Sequence, residues 1–297
     1  MLSPTPTGLW WGLLGVLAFS FTVPLTRIAV GGMSPLFIGA GRAVIAAALA
    51  AAALAITRQR RPQGAQWFRL AIVAAGVVAG FGMLTSFALT KTSASHAAVV
   101  IALLPAATAA VTVIRTRERP GAGFWTAAGA GAVAAVTFAA LGNGGLGGLG
   151  WPDALLFAAV AAAAVGYTEG GLLSRELGSW QTISWALALG SPVMTAATAF
   201  SLTGGLPEAT PVEWAAFAYL SAVSMFLGFF AWYRGLALGP MAQVSQTQLV
   251  QPVLTICWAA LLLREHLAVP TVLGGLAVIA CAALAVRTRL RPSLAPR

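Results

Sequence analysis

The chain has 297 residues, of which 59% are hydrophobic and only 8% are charged, and its mean hydropathy is +0.87. Because an ordinary soluble domain has about a quarter of its residues charged, this composition excludes that class and indicates an integral membrane protein. The net charge of +10 comes from arginines in short loops between apolar runs, which favours a topology signal over nucleic-acid binding.

Apolar runs of about 20 residues follow one another along the chain, and a helix of that length crosses ~30 Å of hydrocarbon. The runs do not alternate with a period of two and are rich in Ala, Leu and Gly, which favours packed helices over a barrel. We therefore predict an all-α integral membrane protein with ten transmembrane helices. The predicted spans are 8–30, 34–57, 67–90, 93–114, 121–141, 152–174, 180–203, 212–236, 241–263 and 267–287.

The basic residues of the loops predict the orientation of these spans. An even number of spans places both termini on one side of the membrane, and most arginines, such as Arg58 and Arg115, lie on that side. The other side receives only Arg27, Lys91 and Arg264. Under the positive-inside rule, both termini are predicted to be cytoplasmic.

The two halves of the chain are similar in sequence. At one constant offset and without a gap, Leu89 aligns with Leu236, Pro105 with Pro252, Arg117 with Arg264, and Glu118 with Glu265. A unit of five helices crosses the membrane an odd number of times, so its second copy is inverted. We predict two inverted five-helix repeats, residues 1–147 and 148–297, around a central cavity.

The ninth predicted span begins with an unusually polar stretch, QVSQTQLVQP (243–252). On an α-helix with 100° per residue, one face of this span is polar. It is formed by Gln243, Gln246, Thr247 and Gln251, and Gln248 lies outside it. Amides offer both donors and acceptors to a zwitterion, so the face is predicted to line the cavity and bind substrate. The alternative is that these amides hold the helix to its neighbours.

Three ionisable residues of the predicted spans are candidates for a role in transport. Arg42 is a candidate for binding a substrate carboxylate, and it could equally be a structural pin that caps helix carbonyls. Glu169 suggests proton coupling, although its position near the cytoplasmic end favours structural pairing with Arg175 or Arg234. His96, near the outer end of the fourth span, is either a helix-end residue or a proton relay that takes part in gating.

Prolines and large apolar residues complete the candidate site. A proline inside a helix leaves a carbonyl without its partner and kinks the helix, so gating by bending is predicted at Pro24, Pro105 and Pro252. Eight side chains could supply an apolar lining for aromatic substrates, although each could also be packing or face lipid. They are Phe81, Met83, Tyr167, Trp185, Phe226, Phe229, Trp232 and Trp258.

The sequence offers little for catalysis or for primary transport. An intramembrane enzyme needs a metal cluster or a nucleophile with a base, whereas the chain has only 2 histidines and Asp153 as its one aspartate. No P-loop or Rossmann pattern occurs. We expect no enzymatic activity, no metal site and no cofactor, and a channel remains a second alternative to a carrier.

Several short motifs recur in matching positions or stand at helix ends. They are SPLFIGAGR (34–42), the fourth-helix prolines in LLP and VQP, and the pairs in RERP and REHL. Together they resemble the drug/metabolite transporter superfamily, in its EamA branch. VGYTEGGLLSREL (165–177) and ISWALALGSPV (183–193) are similar to the YddG-type aromatic amino-acid exporters within that branch.

This resemblance implies a secondary transporter that exports amino acids, aromatic and others, from the bacterial cytoplasm through the inner membrane by alternating access. Export of another small metabolite or drug, such as a nucleoside or a cationic compound, stays open. The implied partners are the substrate and the lipid bilayer, without nucleic acid, and a monomer is compatible with these features.

Overall fold

A computed structural model describes residues 6–117, 121–142, 150–238, 244 and 246–290, and among these residues the secondary structure is entirely helical. The helices are α1 Thr7–Ala29, α2 Pro35–Ile56, α3 Ala65–Ala88, α4 Ala94–Thr116, α5 Ala122–Gly142, α6 Trp151–Leu177, α7 Ser179–Ser201, α8 Pro211–Leu238, α9 Thr247–Leu263 and α10 Val269–Leu290. In this part of the chain, α1 to α8 are long and apolar enough to cross a membrane, whereas the apolar stretches of α9 and α10, Thr247–Leu263 and Val269–Ala285, are shorter.

Two of the long helices contain a π-helical segment. In α3 this segment is Ala74–Phe81, and in α8 it is Leu220–Leu227. A π segment widens the helix locally and interrupts the regular bonding pattern, and such segments are frequent at functional sites. Both segments contribute to the pocket described below.

The helices α4 and α9 are each broken just before a proline. In α4, Ala94–Ile101 is followed by a second helix, Leu104–Thr116. In α9, a 3₁₀ segment, Gln246–Val250, precedes the helix Gln251–Leu263. Pro105 and Pro252 each lie in the first turn of the second piece, where a missing N–H costs little. The predicted kinks are therefore full breaks between two helical pieces.

The helices pack in a pattern that pairs the first five with the last five. The closest neighbours are α2 with α7, α5 with α10, α1 with α8, and α3 with α6. The broken helices α4 and α9 also pack on one another. Small residues, mainly alanine and glycine, fill these interfaces, because close approach of helix backbones in a membrane depends on them.

Gly76 shows how tight the contact between α3 and α6 is. A Cβ at this position would collide with the carbonyl oxygen of Ala162 and with the backbone of Gly166. A Cβ at Gly129 in α5, by contrast, would meet no heavy atom within 4 Å among the described residues.

Substitution of Gly76 by valine is expected to destabilise the fold by roughly 1–3 kcal/mol or more, because the two backbones would be forced apart. The matched variant Gly129→Val should behave like the wild type. Thermal unfolding and monodispersity in detergent measure both effects. Equal behaviour of the two variants would contradict the tight α3–α6 contact.

Candidate functional site

A small pocket, which we call the Arg42 pocket, lies between α1, α2, α3, α6, α8 and α9. Arg42 and Gln251 are among its polar lining residues, and Thr22 and Ser224 meet there with hydroxyl oxygens 2.8 Å apart. Aromatic rings supply much of the remaining wall. These are Phe19, Phe81, Tyr167 and Phe229.

Arg42 is the most unusual residue of this pocket. Its side chain is buried, with a relative exposure of 1%. Among the described residues, its Nε has no hydrogen-bond partner and its guanidinium forms no ion pair. The guanidinium lies against Gly82 of α3, where a Cβ would meet it. A buried charge without a partner is penalised by several kcal/mol.

A second pocket, which we call the Gln248 pocket, lies where the breaks of α4 and α9 meet. Pro105 and Pro252 line it, and it shares Val23 and Gln251 with the Arg42 pocket. Each pocket has room for about one water molecule. The two pockets are therefore adjoining parts of one closed site.

Gln248 is the residue that sequence reasoning placed wrongly. Its relative exposure is 2%, it lines the Gln248 pocket, and within the described part of the chain neither its Nε2 nor its Oε1 has a hydrogen-bond partner. The helical wheel fails here because Gln246–Val250 is a 3₁₀ helix, in which residues three apart share a face. Gln248 and Gln251 therefore point to one side. Leaving a buried amide unsatisfied costs about 1–3 kcal/mol.

The other predicted polar residues of this stretch have different positions. Thr247 is only partly buried, donates its hydroxyl to the carbonyl oxygen of Val244 at 2.7 Å, and lies against Gly12 of α1. It is not among the lining residues of either pocket. Gln243 and the side chain of Gln246 lie outside the described residues. In the sequence, Pro252 is the feature that could have indicated a departure from α-helical spacing in the residues just before it.

The predicted aromatic and apolar lining is brought together only in part. Phe81 and Tyr167 do line the Arg42 pocket. Met83 instead lies between helices against Gly39 of α2. Trp185 faces a polar cleft at the end of the bundle, where its ring packs edge-on against another indole with centroids 5.8 Å apart. The sequence indicates how deep in the membrane these residues lie, but it does not indicate which face of the helix they occupy.

Pro24 lies in α1 and affects a contact with α9. It cannot donate an N–H to the carbonyl of Ser20, and Thr255 Oγ1 donates to that carbonyl oxygen instead, at 3.0 Å. Trp258 Nε1 donates to Ser20 Oγ, also at 3.0 Å. The loosened turn of α1 is thus tied to α9, the helix that carries Gln248.

One end of the bundle, which we call the Arg-rich end, is held together by a buried carboxylate. Glu169 of α6 binds Arg69 of α3, with Nε to Oε2 at 2.8 Å, and also Arg115 of α4. Arg69 Nη1 binds Glu176 Oε1 at 2.5 Å. Glu169 thereby joins three helices at this end.

The partners predicted for Glu169, Arg175 and Arg234, are wrong. The guanidinium of Arg234 lies over the ring of Trp11, 5.2 Å from its centroid. The true partners, Arg69 and Arg115, come from helices that are distant in sequence and become neighbours only through tertiary packing. The inference that Glu169 is structurally paired, rather than isolated, nevertheless agrees with the observed contacts.

The opposite end is held by two contacts between helices. His96 Nε2 of α4 lies 2.7 Å from Asp153 Oδ1 of α6. Glu265, which follows α9, accepts hydrogen bonds from the backbone N–H groups of Ala94 and Ser95 at 2.9 Å each. A carboxylate at a helix N-terminus satisfies unpaired amides and the helix dipole. Both ends of the bundle are therefore closed around the two small pockets.

Comparison with known proteins identifies the family to which this chain belongs. A model of the EamA-like transporter family matches residues 6–140 and 150–287. The chain is 42% identical over 294 residues to an uncharacterized transporter, YdeK, of Bacillus subtilis (strain 168), across 96% of this chain and 99% of that protein. A protein of known crystal structure shares the fold with a TM-score of 0.63 at 18% identity, over 96% of this chain and 98% of the other. With both halves of the sequence matched and the relative covered almost end to end, the chain belongs to the EamA-like transporter family.

Proposed function

We propose that this transporter exports amino acids, aromatic ones among them, from the bacterial cytoplasm by alternating access. The observation that carries the proposal is Arg42, a buried guanidinium without a partner among the described residues, in a pocket with aromatic walls. A guanidinium matches a carboxylate through two parallel hydrogen bonds. Aromatic rings favour an apolar or aromatic side chain beside it.

We also propose that the fold consists of two inverted repeats of five membrane helices, residues 1–147 and 148–297. The packing pairs support this arrangement, because shifting each helix by five places turns the pair α1 with α8 into α6 with α3. The matched irregularities support it too: π segments in α3 and α8, and breaks in α4 and α9. Arg117 and Arg264, at the ends of α4 and α9, both have left-handed backbone conformations, with φ of 57° and 53°.

In a bacterial inner membrane, the positive-inside rule favours the Arg-rich end on the cytoplasmic side, with both termini there. The Glu169 contacts then form the inner gate, and the contacts of His96 and Glu265 form the outer gate. A monomer is the proposed functional unit. Substrate reaches the site when the inner gate opens and leaves when the outer gate opens.

Counterflow in proteoliposomes tests the substrate class. Labelled phenylalanine, other amino acids, a nucleoside and a cationic drug are offered in parallel to vesicles loaded with the same unlabelled compound. We expect saturable exchange of phenylalanine and other amino acids, and none of the nucleoside or the drug. Exchange of the nucleoside or the drug without amino acids would contradict the proposal, and flux that does not saturate would indicate a channel.

A further inference from the structure

We propose that the Gln248 pocket binds the ammonium group of the amino acid whose carboxylate Arg42 holds. This inference rests on the proposed function and extends it, because it assigns the second charged group of the substrate to a second set of residues. It also gives a role to Gln248, which helical periodicity excludes from the site.

The first argument is the unsatisfied amide itself. Gln248 is buried, and both its Nε2 and its Oε1 lack hydrogen-bond partners among the described residues. Buried polar groups in native proteins nearly always have partners. The amide lines a pocket with room for about one water molecule, so a small polar group of a ligand can satisfy it.

The second argument is the excess of hydrogen-bond acceptors around this pocket. Pro105 removes the N–H group that would bind the carbonyl of Ile101 in an unbroken α-helix. The hydroxyl of Thr255, which also lines the pocket, donates a hydrogen bond to the carbonyl oxygen of Ser20, so its oxygen keeps lone pairs that can accept one. An ammonium group has three donors and no acceptor, and so complements this set.

The third argument is the position of the two pockets relative to one another. The ammonium and carboxylate of an α-amino acid are attached to the same carbon, so their binding sites must adjoin. The Arg42 and Gln248 pockets do adjoin, at Val23 and Gln251. The positive charge of Arg42 excludes the ammonium from its own pocket, whereas the described lining of the Gln248 pocket carries no charged side chain.

Binding measurements with purified protein in detergent test the assignment. The ligands are phenylalanine and 3-phenylpropionate, which has the same ring and carboxylate but lacks the ammonium. The wild type should bind phenylalanine at least about tenfold more tightly, as one charge-assisted hydrogen bond provides. In Gln248→Leu the affinity for phenylalanine should fall to that for 3-phenylpropionate, whose own affinity stays unchanged.

Two further variants keep the test decisive. Gln181→Leu makes the same change at a glutamine that bonds Gln59 near the Arg-rich end, and it should retain the wild-type preference. Gln248→Glu keeps the acceptor oxygens and adds a negative charge, so it should increase the preference for phenylalanine even if the leucine variant does not fold.

Four outcomes would overturn the inference. If Gln248→Leu weakens both ligands equally, the residue is structural. If replacing Na⁺ by N-methylglucamine removes the preference in the wild type, the pocket holds a free cation instead of the substrate's ammonium. A Gln248→Leu protein that keeps the wild-type preference overturns this inference alone, whereas a wild type that binds no amino acid overturns the proposed function as well.

Discussion

Replacing Arg42 by leucine is expected to weaken phenylalanine binding by at least about 30-fold and at the same time to raise the thermal stability of the empty protein. The loss of affinity follows because removing one partner of a buried charge pair costs about 2–5 kcal/mol. The gain in stability follows because the guanidinium is buried with no partner among the described residues, so an apolar side chain removes a desolvation penalty.

Both effects can be measured on one preparation, by isothermal titration and by thermal unfolding without ligand. Arg69→Leu is the control, since Arg69 is also largely buried but binds two carboxylates; this variant should lower the stability. The experiment also decides between the two roles open to Arg42 from the sequence. A structural pin predicts that Arg42→Leu destabilises the protein and leaves affinity intact.

Replacing Glu169 by glutamine is expected to destabilise the protein by about 3 kcal/mol, the lower end of the range for breaking a buried ion pair. The lower end applies because Arg115 is half-exposed, whereas the Glu169 side chain is only 6% exposed. The same change should loosen the Arg-rich end, because α3, α4 and α6 lose their common partner. Thermal unfolding measures the first effect.

The second effect is measured by the rate of thiol labelling at Val77→Cys, in a background where Cys257 and Cys281 are replaced by alanine. Val77 lines the Arg42 pocket, so opening the bundle should expose it. Glu176→Gln is the matched control, because Glu176 also binds Arg69 but is 43% exposed, and such a pair contributes less than about 1 kcal/mol. Identical behaviour of the two variants would show that Glu169 does not hold the end closed.

The sequence allowed the helices and the most informative residue of the site to be predicted. Length and hydropathy place the apolar runs, because crossing hydrocarbon leaves the backbone few alternatives to a helix. Arg42 stands out because inserting an arginine into the membrane within an apolar run costs free energy, so its presence there requires a reason. The breaks at Pro105 and Pro252 follow from the missing N–H of each proline.

Other parts of the site depend on geometry that a single sequence does not contain. The wheel excluded Gln248 because it assumed an α-helical period in a segment that is 3₁₀. The partners of Glu169 could not be identified, because Arg69 and Arg115 approach it only when α3, α4 and α6 pack. Trp185 was expected in the cavity because the sequence indicates its depth in the membrane. The sequence does not indicate the rotation of α7 about its axis, which turns Trp185 to the polar cleft.

The bond between Thr255 and the carbonyl of Ser20 has a mechanical consequence. Because it replaces the bond that Pro24 cannot make, the weak turn of α1 is attached to α9 just beyond Pro252. In the proposed transport cycle, a bend of α9 at Pro252 would be transmitted through this bond to α1, at the turn that Pro24 weakens.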